Sequence, residues 1–132
     1  MRFRYSEETY AAMRIVLAFL FACHGAQKYF GVLGGTVQIH TVKGAIAGTI
    51  ELIGGTLIGL GLFTRIAAFI ASGEMAVAFF WVHMKRGLWP IINKGELPVA
   101  LCFAFLYIAS KGGGRYSLDH LLRSKSSGDG TG

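Results

Sequence analysis

The sequence predicts an all-α membrane protein, a bundle of four membrane-spanning helices followed by a short interfacial helix. Of its 132 residues, 53% are hydrophobic and only 15% are charged, and the mean hydropathy is +0.51. A soluble domain carries about 25% charged residues, so this deficit indicates a bilayer environment. Four apolar segments of helix length also follow one another along the chain.

The four predicted spans cover residues 10–29, 44–63, 66–84 and 96–111. About 20 helical residues cross the ~30 Å hydrocarbon core, so the second and third spans fit directly. The first fits if Arg14 and Lys28 lie at its two ends, and the fourth is short. Because only Thr64 and Arg65 separate the second span from the third, these two must form an antiparallel hairpin.

The chain around these spans is expected to form one domain over residues 1–122. The basic N-terminus looks like a signal peptide, but Glu7 and Glu8 interrupt it and no small-residue cleavage pattern follows, so we interpret it as a retained first span. Beyond the fourth span, glycines end the helix, and Ser117 and Asp119 suit the start of a short interfacial helix. The polar, glycine-rich residues 123–132 are expected to form a disordered tail.

The basic residues predict the orientation. Four spans put both termini and the Thr64-Arg65 turn on one side. That side collects Arg2, Arg4, Arg65, Lys111, Arg115, Arg123 and Lys125, and the other side collects Lys28, Lys43, Lys85, Arg86 and Lys94. This bias favours cytoplasmic termini. The basic residues are scattered along the chain, which argues against nucleic-acid binding.

A glutamate in the middle of the second span is the main indication of a functional site. Glu51 lies about 10 Å deep by helix rise, and a charge at mid-depth costs about 2.5–3.5 kcal/mol. It falls on a stripe of small residues at helical spacing, Gly44, Gly48, Gly55 and Gly59. Because small residues allow another helix to approach closely, we expect Glu51 to face protein and not lipid.

Other ionisable residues fall on similar faces of the neighbouring spans. We predict a polar pocket on the side opposite the termini, formed by His24, Lys28, Glu51, Asn93 and Glu96. We predict a separate Arg14–Glu74 ion pair in the other half of the bundle, and we place His83, about 180° around the third span from Glu74, at the interface. Buried ion pairs also fix helix register without chemistry, and Glu96 also suits the first turn of the fourth span; these alternatives stay open.

The sequence favours no metal or covalent cofactor. Cys23 and Cys102 lie in apolar runs without a CxxC or a Cys/His ligand spacing, so they are expected to be buried thiols. The chain also has no c-type haem motif, no iron–sulfur cysteine set and no glycine-rich dinucleotide fingerprint.

An ordered set of short motifs resembles the DoxX family of small bacterial membrane proteins. The motifs are Arg14, H-G-A-Q-K at 24–28, E-L-I-G-G at 51–55, G-L-F-T-R at 61–65, N-K-G-E at 93–96 and G-G-G-R-Y-S-L-D at 112–119. The middle glycine of 112–114 is often proline in similar sequences. The resemblance implies a four-helix bundle in the bacterial inner membrane and an association with redox proteins, including thiosulfate:quinone oxidoreductase and thiol-stress complexes.

Three hypotheses of function follow. In the first, the protein is a membrane subunit of a quinone-linked oxidoreductase, with His24 and Lys28 hydrogen-bonding the quinone and Glu51 or Glu96 relaying protons; a protein partner supplies the electrons. In the second, it is a non-catalytic accessory or scaffold subunit of a larger membrane complex. In the third, Cys23 and Cys102 take part in thiol–disulfide exchange, which the lack of a paired spacing disfavours.

Overall fold

A computed structural model describes residues 4–128 of the chain, which within that range is helical without any strand. The helices are α1, Ser6–Phe30; α2, Val42–Leu60; α3, Thr64–Arg86; α4, Pro90–Asn93; α5, Glu96–Lys111; and α6, Leu118–Gly128. Helices α1, α2, α3 and α5 are the four predicted spans. The predicted all-α membrane bundle with a short C-terminal helix is confirmed.

Helix α1 is longer than predicted at its start. Glu7 and Glu8 lie in its first turn, where acidic side chains interact favourably with the positive end of the helix dipole. Its last turn carries Lys28, and Gly31 ends the helix in the left-handed conformation at φ 67°. The acidic residues that interrupt the basic N-terminus thus begin the helix.

Helix α2 contains a π-helical segment. Its start is capped by Thr41, whose hydroxyl accepts a hydrogen bond from the N–H of Gly44 at 3.1 Å. The chain is α-helical over Val42–Thr49 and Gly55–Leu60, and π-helical over Ile50–Gly54 between them. Such segments add a residue to a turn and are frequent at functional sites; this one contains Glu51.

Helix α3 also changes its winding towards the end opposite the termini. It is α-helical over Thr64–Ala78, π-helical over Phe79–His83 and 3₁₀-helical over Met84–Arg86. After the short α4, helix α5 begins at Glu96 with Pro98 in its first turn, where the missing N–H of proline does no harm.

The bundle consists of two closely packed pairs, α1 with α2 and α3 with α5. Gly55 of α2 lies so close to α1 that an added Cβ would come within 2.8 Å of the carbonyl oxygen of Ala18. The pairs meet through the rings of Phe21 and Phe105, whose centroids are 4.8 Å apart. The glycine face of α2 therefore contacts a neighbouring helix, as its spacing predicts.

The outer faces of the helices are apolar. Among residues 4–128, α1, α2 and α3 are long and apolar enough to cross a membrane. Helix α5 has 16 residues, or about 24 Å by helix rise, and it occupies the position of the short fourth span that the sequence predicts. Large exposed hydrophobic side chains such as Phe19, Ile53 and Phe69 form the lipid-facing surface expected of such a bundle.

The end of the bundle that holds the start of α1, the α2–α3 turn and the segment after α5 is called the terminal end below. Arg14, 1% exposed, donates from Nη1 to the carbonyl of Gly113 and from Nη2 to the carbonyl of Tyr116 at 2.8 Å. Tyr10 donates its hydroxyl proton to the carbonyl of Gly112 at 2.6 Å. These bonds fasten the G-G-G-R-Y-S-L-D segment onto α1.

Helix α6 starts as expected and runs further than expected. The hydroxyl of Ser117 accepts from the N–H of His120 at 3.2 Å and caps the helix. The helix then continues to Gly128, so residues 123–128 are helical where the sequence predicts a disordered tail. The reason is that no glycine or proline interrupts the chain before Gly128. The rest of the predicted tail, 129–132, lies outside the described residues.

Candidate functional site

A cavity of about 860 Å³ opens at the end of the bundle opposite the terminal end. We call it the outer cavity. Its walls are mostly apolar and come from α1, α2, α3 and α5, and its polar or charged lining residues are His24, Lys28, Gln38, Thr41, Lys43, Glu51, Glu74 and His83. A mostly apolar cleft with a few convergent polar groups is the usual form of a site for a small organic ligand.

Lys28 and Glu51 form an ion pair deep in the outer cavity. The ammonium of Lys28 donates to Oε2 of Glu51 at 2.6 Å, and their side chains are 21% and 4% exposed. Glu51 lies nine residues into α2, about 13 Å from its start by helix rise. Glu51 thus faces protein, as the glycine stripe predicts, and Lys28 of α1 is the partner that makes its burial tolerable.

Glu74 belongs to this cluster and does not pair with Arg14. Its carboxyl lies beside the Lys28–Glu51 ion pair in the lining of the outer cavity. The predicted Arg14–Glu74 ion pair is wrong because the two residues lie at different depths. Arg14 lies level with Gly59 near the turn, whereas Glu74 lies ten residues into α3, about 15 Å from that turn.

One oxygen of Glu74 is buried without a partner. Oε2 is shielded from solvent and makes no hydrogen bond to the described residues, although the residue lines the outer cavity. Leaving such a group unpaired is costly. A ligand or water molecule in the cavity would satisfy it.

The other predicted pocket residues divide between the cavity and the loop before α5. His24 is half-buried and lines the cavity. Asn93 is fully buried, but its amide donates to the carbonyl of Gly87 at 2.8 Å and its Oδ1 accepts from the N–H of Gly95 at 2.8 Å. Asn93 therefore organises the loop and is not a cavity residue, which corrects its assignment.

Glu96 is also not part of the cluster. It is exposed and lies in the first turn of α5. The aromatic ring of Phe79 packs against Gly95 at the start of that helix. Glu96 is thus the helix-start residue that the sequence allowed as an alternative.

The sequence predicts that His83 lies at the membrane interface. In the structure it lies in the wall of the outer cavity. It lines the same cavity as Glu74, and its Nδ1 donates to the carbonyl of Asn93 at 3.2 Å. The 100° step used to place it holds only for an α-helix. A π segment takes about one more residue per turn, so the segment at Phe79–His83 turns His83 back towards the side of Glu74.

Two residues at the cavity mouth were not singled out as site residues from the sequence. The ammonium of Lys43, at the start of α2, lies 4.6 Å from the ring centroid of Trp81 on α3. Both side chains line the cavity and are exposed. No sequence pattern pairs them, because they are far apart in the chain and meet only after α2 and α3 fold back on each other.

Cys23 and Cys102 do not line the outer cavity. Both are free cysteines, and the sulfur of Cys102 lies 3.5 Å from Ser72 Oγ. No group of three or more His, Cys, Asp or Glu side chains is placed to hold a metal ion within residues 4–128.

The cluster brings ammonium and imidazole donors and two carboxyl groups together beside apolar walls. This combination is typical of a lining that binds a small organic ligand. A profile of the DoxX family matches residues 10–84, which contain the ion pair, Glu74 and His83. The chain belongs to the DoxX family.

Relatives from three bacteria match most of this DoxX chain. An "Uncharacterized protein" of Haemophilus influenzae is 41% identical, over 87% of this chain and 91% of its own length. "Putative oxidoreductase CatD" of Bacillus subtilis is 26% identical, over 89% and 90%. "Uncharacterized membrane protein Rv3486" of Mycobacterium tuberculosis is 23% identical, over 86% and 81%. No solved structure matches this DoxX chain significantly.

Proposed function

We propose that this DoxX protein binds a quinone in the outer cavity and serves as the membrane subunit of an oxidoreductase. One observation carries the proposal: the apolar cavity ends at Lys28, Glu51 and Glu74, with one carboxyl oxygen unpartnered. A quinone head needs a few hydrogen-bonding groups in an otherwise apolar cleft. The name of the Bacillus subtilis relative, "Putative oxidoreductase CatD", supports the same class of activity.

Each cluster residue has a role in this proposal. Lys28 has three donor hydrogens, of which Glu51 accepts one, so Lys28 and His24 can donate to the quinone oxygens. Reduction of a quinone to a quinol takes up two electrons and two protons. The electrons come from a reduced partner subunit, because this chain carries no motif for a redox cofactor. The protons pass through the Glu51–Glu74 carboxyl pair, as intramembrane carboxylates commonly relay protons.

The proposal includes an orientation. The terminal end carries Arg4, Arg65, Lys111, Arg115, Arg123 and Lys125, and the opposite end carries Lys43, Lys85, Arg86 and Lys94. We therefore place the termini in the cytoplasm and the outer cavity towards the other face of a bacterial inner membrane. A reporter enzyme active only outside the cytoplasm, fused after Gly128, should be inactive. The same reporter inserted after Gly34 should be active.

The quinone site is tested by purifying the protein in lipid nanodiscs and measuring bound quinone. The native protein should retain quinone, and Glu51→Gln and Glu74→Gln should each weaken its binding about tenfold or more. Glu96→Gln is the matched control, since Glu96 is exposed at the same end of the bundle. Absence of quinone from the native protein, or a Glu51→Gln variant with full quinone-dependent activity in the assembled complex, would contradict the proposal.

A groove between α3 and α5 favours an accessory role as the second candidate. It has a volume of about 470 Å³ and is lined by Phe69, Phe103, Leu106, Tyr107, Ala109 and Ser110. Such a groove on a lipid-facing surface suits a transmembrane helix of a larger subunit. A protein without ligand that co-purifies in a fixed ratio with a larger membrane partner would favour this scaffold role over the quinone site.

A further inference from the structure

The gap between α2 and α3 connects the outer cavity to the side of the bundle. The two helices are joined by a short turn at the terminal end, and their closest packing lies between Ile50 and Leu60 of α2. The first part of α2, Val42–Thr49, packs less closely against α3. The cavity lies between this part of α2 and the last part of α3.

The residues on the two sides of the gap indicate that it opens towards lipid. Ile46 of α2 and Val77 of α3 both line the cavity and are 57% and 52% exposed. Val77 lies nine residues before the end of α3, about 13 Å by helix rise, which is the depth of acyl chains. An opening with apolar edges at this depth is reached from the hydrocarbon core.

The loop between α1 and α2 borders the water-facing end of the cavity. The N–H of Gln38 donates to the carbonyl of Lys28 at 2.8 Å, and the N–H of Thr41 donates to the carbonyl of Gln38 at 3.2 Å. Gln38 and Thr41 both line the cavity. Polar loop residues thus border the cavity towards water, whereas its edges towards lipid are apolar.

A side-chain contact between Lys43 and Trp81 crosses the gap at its outer edge. The ammonium of Lys43 lies over the ring of Trp81, and Trp81 belongs to the π segment of α3. An exposed cation–π contact is weak, so it can open and close rapidly. Local π-helical winding also gives α3 a place where its turns can rearrange.

We propose that the gap is a lateral portal through which an isoprenoid quinone enters the cavity directly from the bilayer, and that the Lys43–Trp81 contact gates it. This proposal rests on the proposed quinone site. The ring reaches Lys28, Glu51 and Glu74, and the hydrocarbon tail stays between Ile46 and Val77 and leads back into lipid. A cavity that is polar at its inner end and apolar at its lateral opening fits an amphiphile of this kind.

The test uses variants that plug the portal and variants of equal bulk elsewhere on the same helices. Ala47 and Ala78 line the cavity on either side of the gap, so Ala47→Trp and Ala78→Trp should obstruct it. Ile53→Trp and Ile70→Trp are the controls, because both residues are exposed and lie outside the cavity. The measurement is the rate at which a long-chain quinone, supplied in the membrane of proteoliposomes, binds to the reconstituted protein.

The plug variants should bind about tenfold more slowly than the native protein, as expected for an obstructed gate, while the controls keep the native rate. Trp81→Ala should act in the opposite direction, raising both association and dissociation rates about threefold, the factor for losing an exposed cation–π contact. This second arm keeps the test decisive if a plug variant does not fold.

Failure of the portal and failure of the quinone site give different results. If the native protein binds quinone and the plug variants bind it at the native rate, the portal is wrong and the proposed function stands. An equal slowing in the plug variants and the controls would also overturn the portal. If the native protein binds no long-chain quinone, both proposals fail.

Discussion

The Asp119 carboxylate caps the first turn of α3, accepting hydrogen bonds from the Thr64 N–H at 3.0 Å and the Thr64 hydroxyl at 2.7 Å. Its other oxygen accepts from the N–H of Phe63 at 2.9 Å, a residue held in the left-handed conformation at φ 49°. The N–H of Asp119 in turn donates to the carbonyl of Gly61 at 2.9 Å. One residue of the C-terminal segment thus fixes the α2–α3 turn.

Asp119→Asn is expected to lower stability by about 1 kcal/mol at neutral pH, because a carboxylate caps a helix through charge-assisted hydrogen bonds. Burial acts to raise the pKa of Asp119, but the hydrogen bonds from Thr64 and Phe63 outweigh it and hold the pKa below its usual value. A lowered pKa stabilises the folded state at pH values above the pKa of Asp in the unfolded chain, about 3.9. This stabilisation is lost as the pH falls through the pKa of Asp119 in the folded protein.

The measurement for Asp119 is thermal unfolding of the native protein and the variant in detergent between neutral and acid pH. The difference between their unfolding temperatures should shrink as the pH falls below about 4. Lys125→Gln, at an exposed position of α6, is the control. A difference that persists unchanged in acid would contradict the capping role.

Arg14→Lys is expected to destabilise the terminal end by about 2–3 kcal/mol. The planar guanidinium donates to carbonyls of both the C-terminal segment and Gly59 of α2, and a lysine ammonium lacks this fork of donors. The C-terminal segment should then detach more often. Limited trypsin digestion should show faster cleavage after Arg115 in the variant.

Arg4→Lys is the control for Arg14, since Arg4 is exposed at the same end. It should leave the rate of cleavage after Arg115 unchanged. Equal rates in Arg14→Lys and the native protein would mean that Arg14 does not hold the segment in place.

Lys28→Met should lower the free energy of unfolding by about 3 kcal/mol. This value is near the lower end for breaking a buried ion pair, because Lys28 itself is partly exposed. It leaves Glu51 buried without its counter-charge. The double variant Lys28→Met/Glu51→Gln should lose less free energy of unfolding than the two single variants lose in sum. Unfolding by SDS in mixed micelles measures these free energies, with the exposed Lys85→Met as control; strict additivity would argue against a coupled pair.

Two glycine-to-alanine changes should have opposite effects. At Gly55 the new Cβ would press against the backbone of α1, and such overpacking costs about 1–3 kcal/mol. At Gly73, within α3, nothing lies within 4 Å of the new Cβ, so Gly73→Ala should be neutral or stabilising by up to about 1 kcal/mol. Unfolding by SDS in mixed micelles measures the free energy for both variants. Comparable destabilisation by both changes would contradict close packing at Gly55.

The fold was predictable because hydropathy and helix-ending glycines act locally. The four spans, the tight turn, the position of Pro98 and the capping role of Ser117 all follow from neighbouring residues. The boundaries were less predictable. The start of α2 depends on the Thr41 cap, and the length of α6 depends on the absence of a helix breaker before Gly128.

The site was predictable only where one helix determines it. The glycine stripe places Glu51 on an inward face, and that face is confirmed. The partner of Glu74 depends on how far α1 and α3 are displaced along the bundle axis, which no local pattern encodes. The position of His83 depends on a π segment, whose extra residue per turn invalidates a fixed 100° step. Whether the pocket binds a ligand stays a prediction.

The attachment of residues 112–119 to the terminal end also bears on biosynthesis. Thr64 and Asp119 are 55 residues apart, so at ~5–20 residues per second the ribosome takes roughly 3–11 s to make the cap after making the start of α3. During that interval Arg14 lacks its acceptors on Gly113 and Tyr116, and the α2–α3 turn lacks the Asp119 carboxylate. The first three helices must therefore enter the membrane before residues 112–119 can bind to the terminal end. A nonsense codon before position 119 would leave the terminal end permanently without the Asp119 cap.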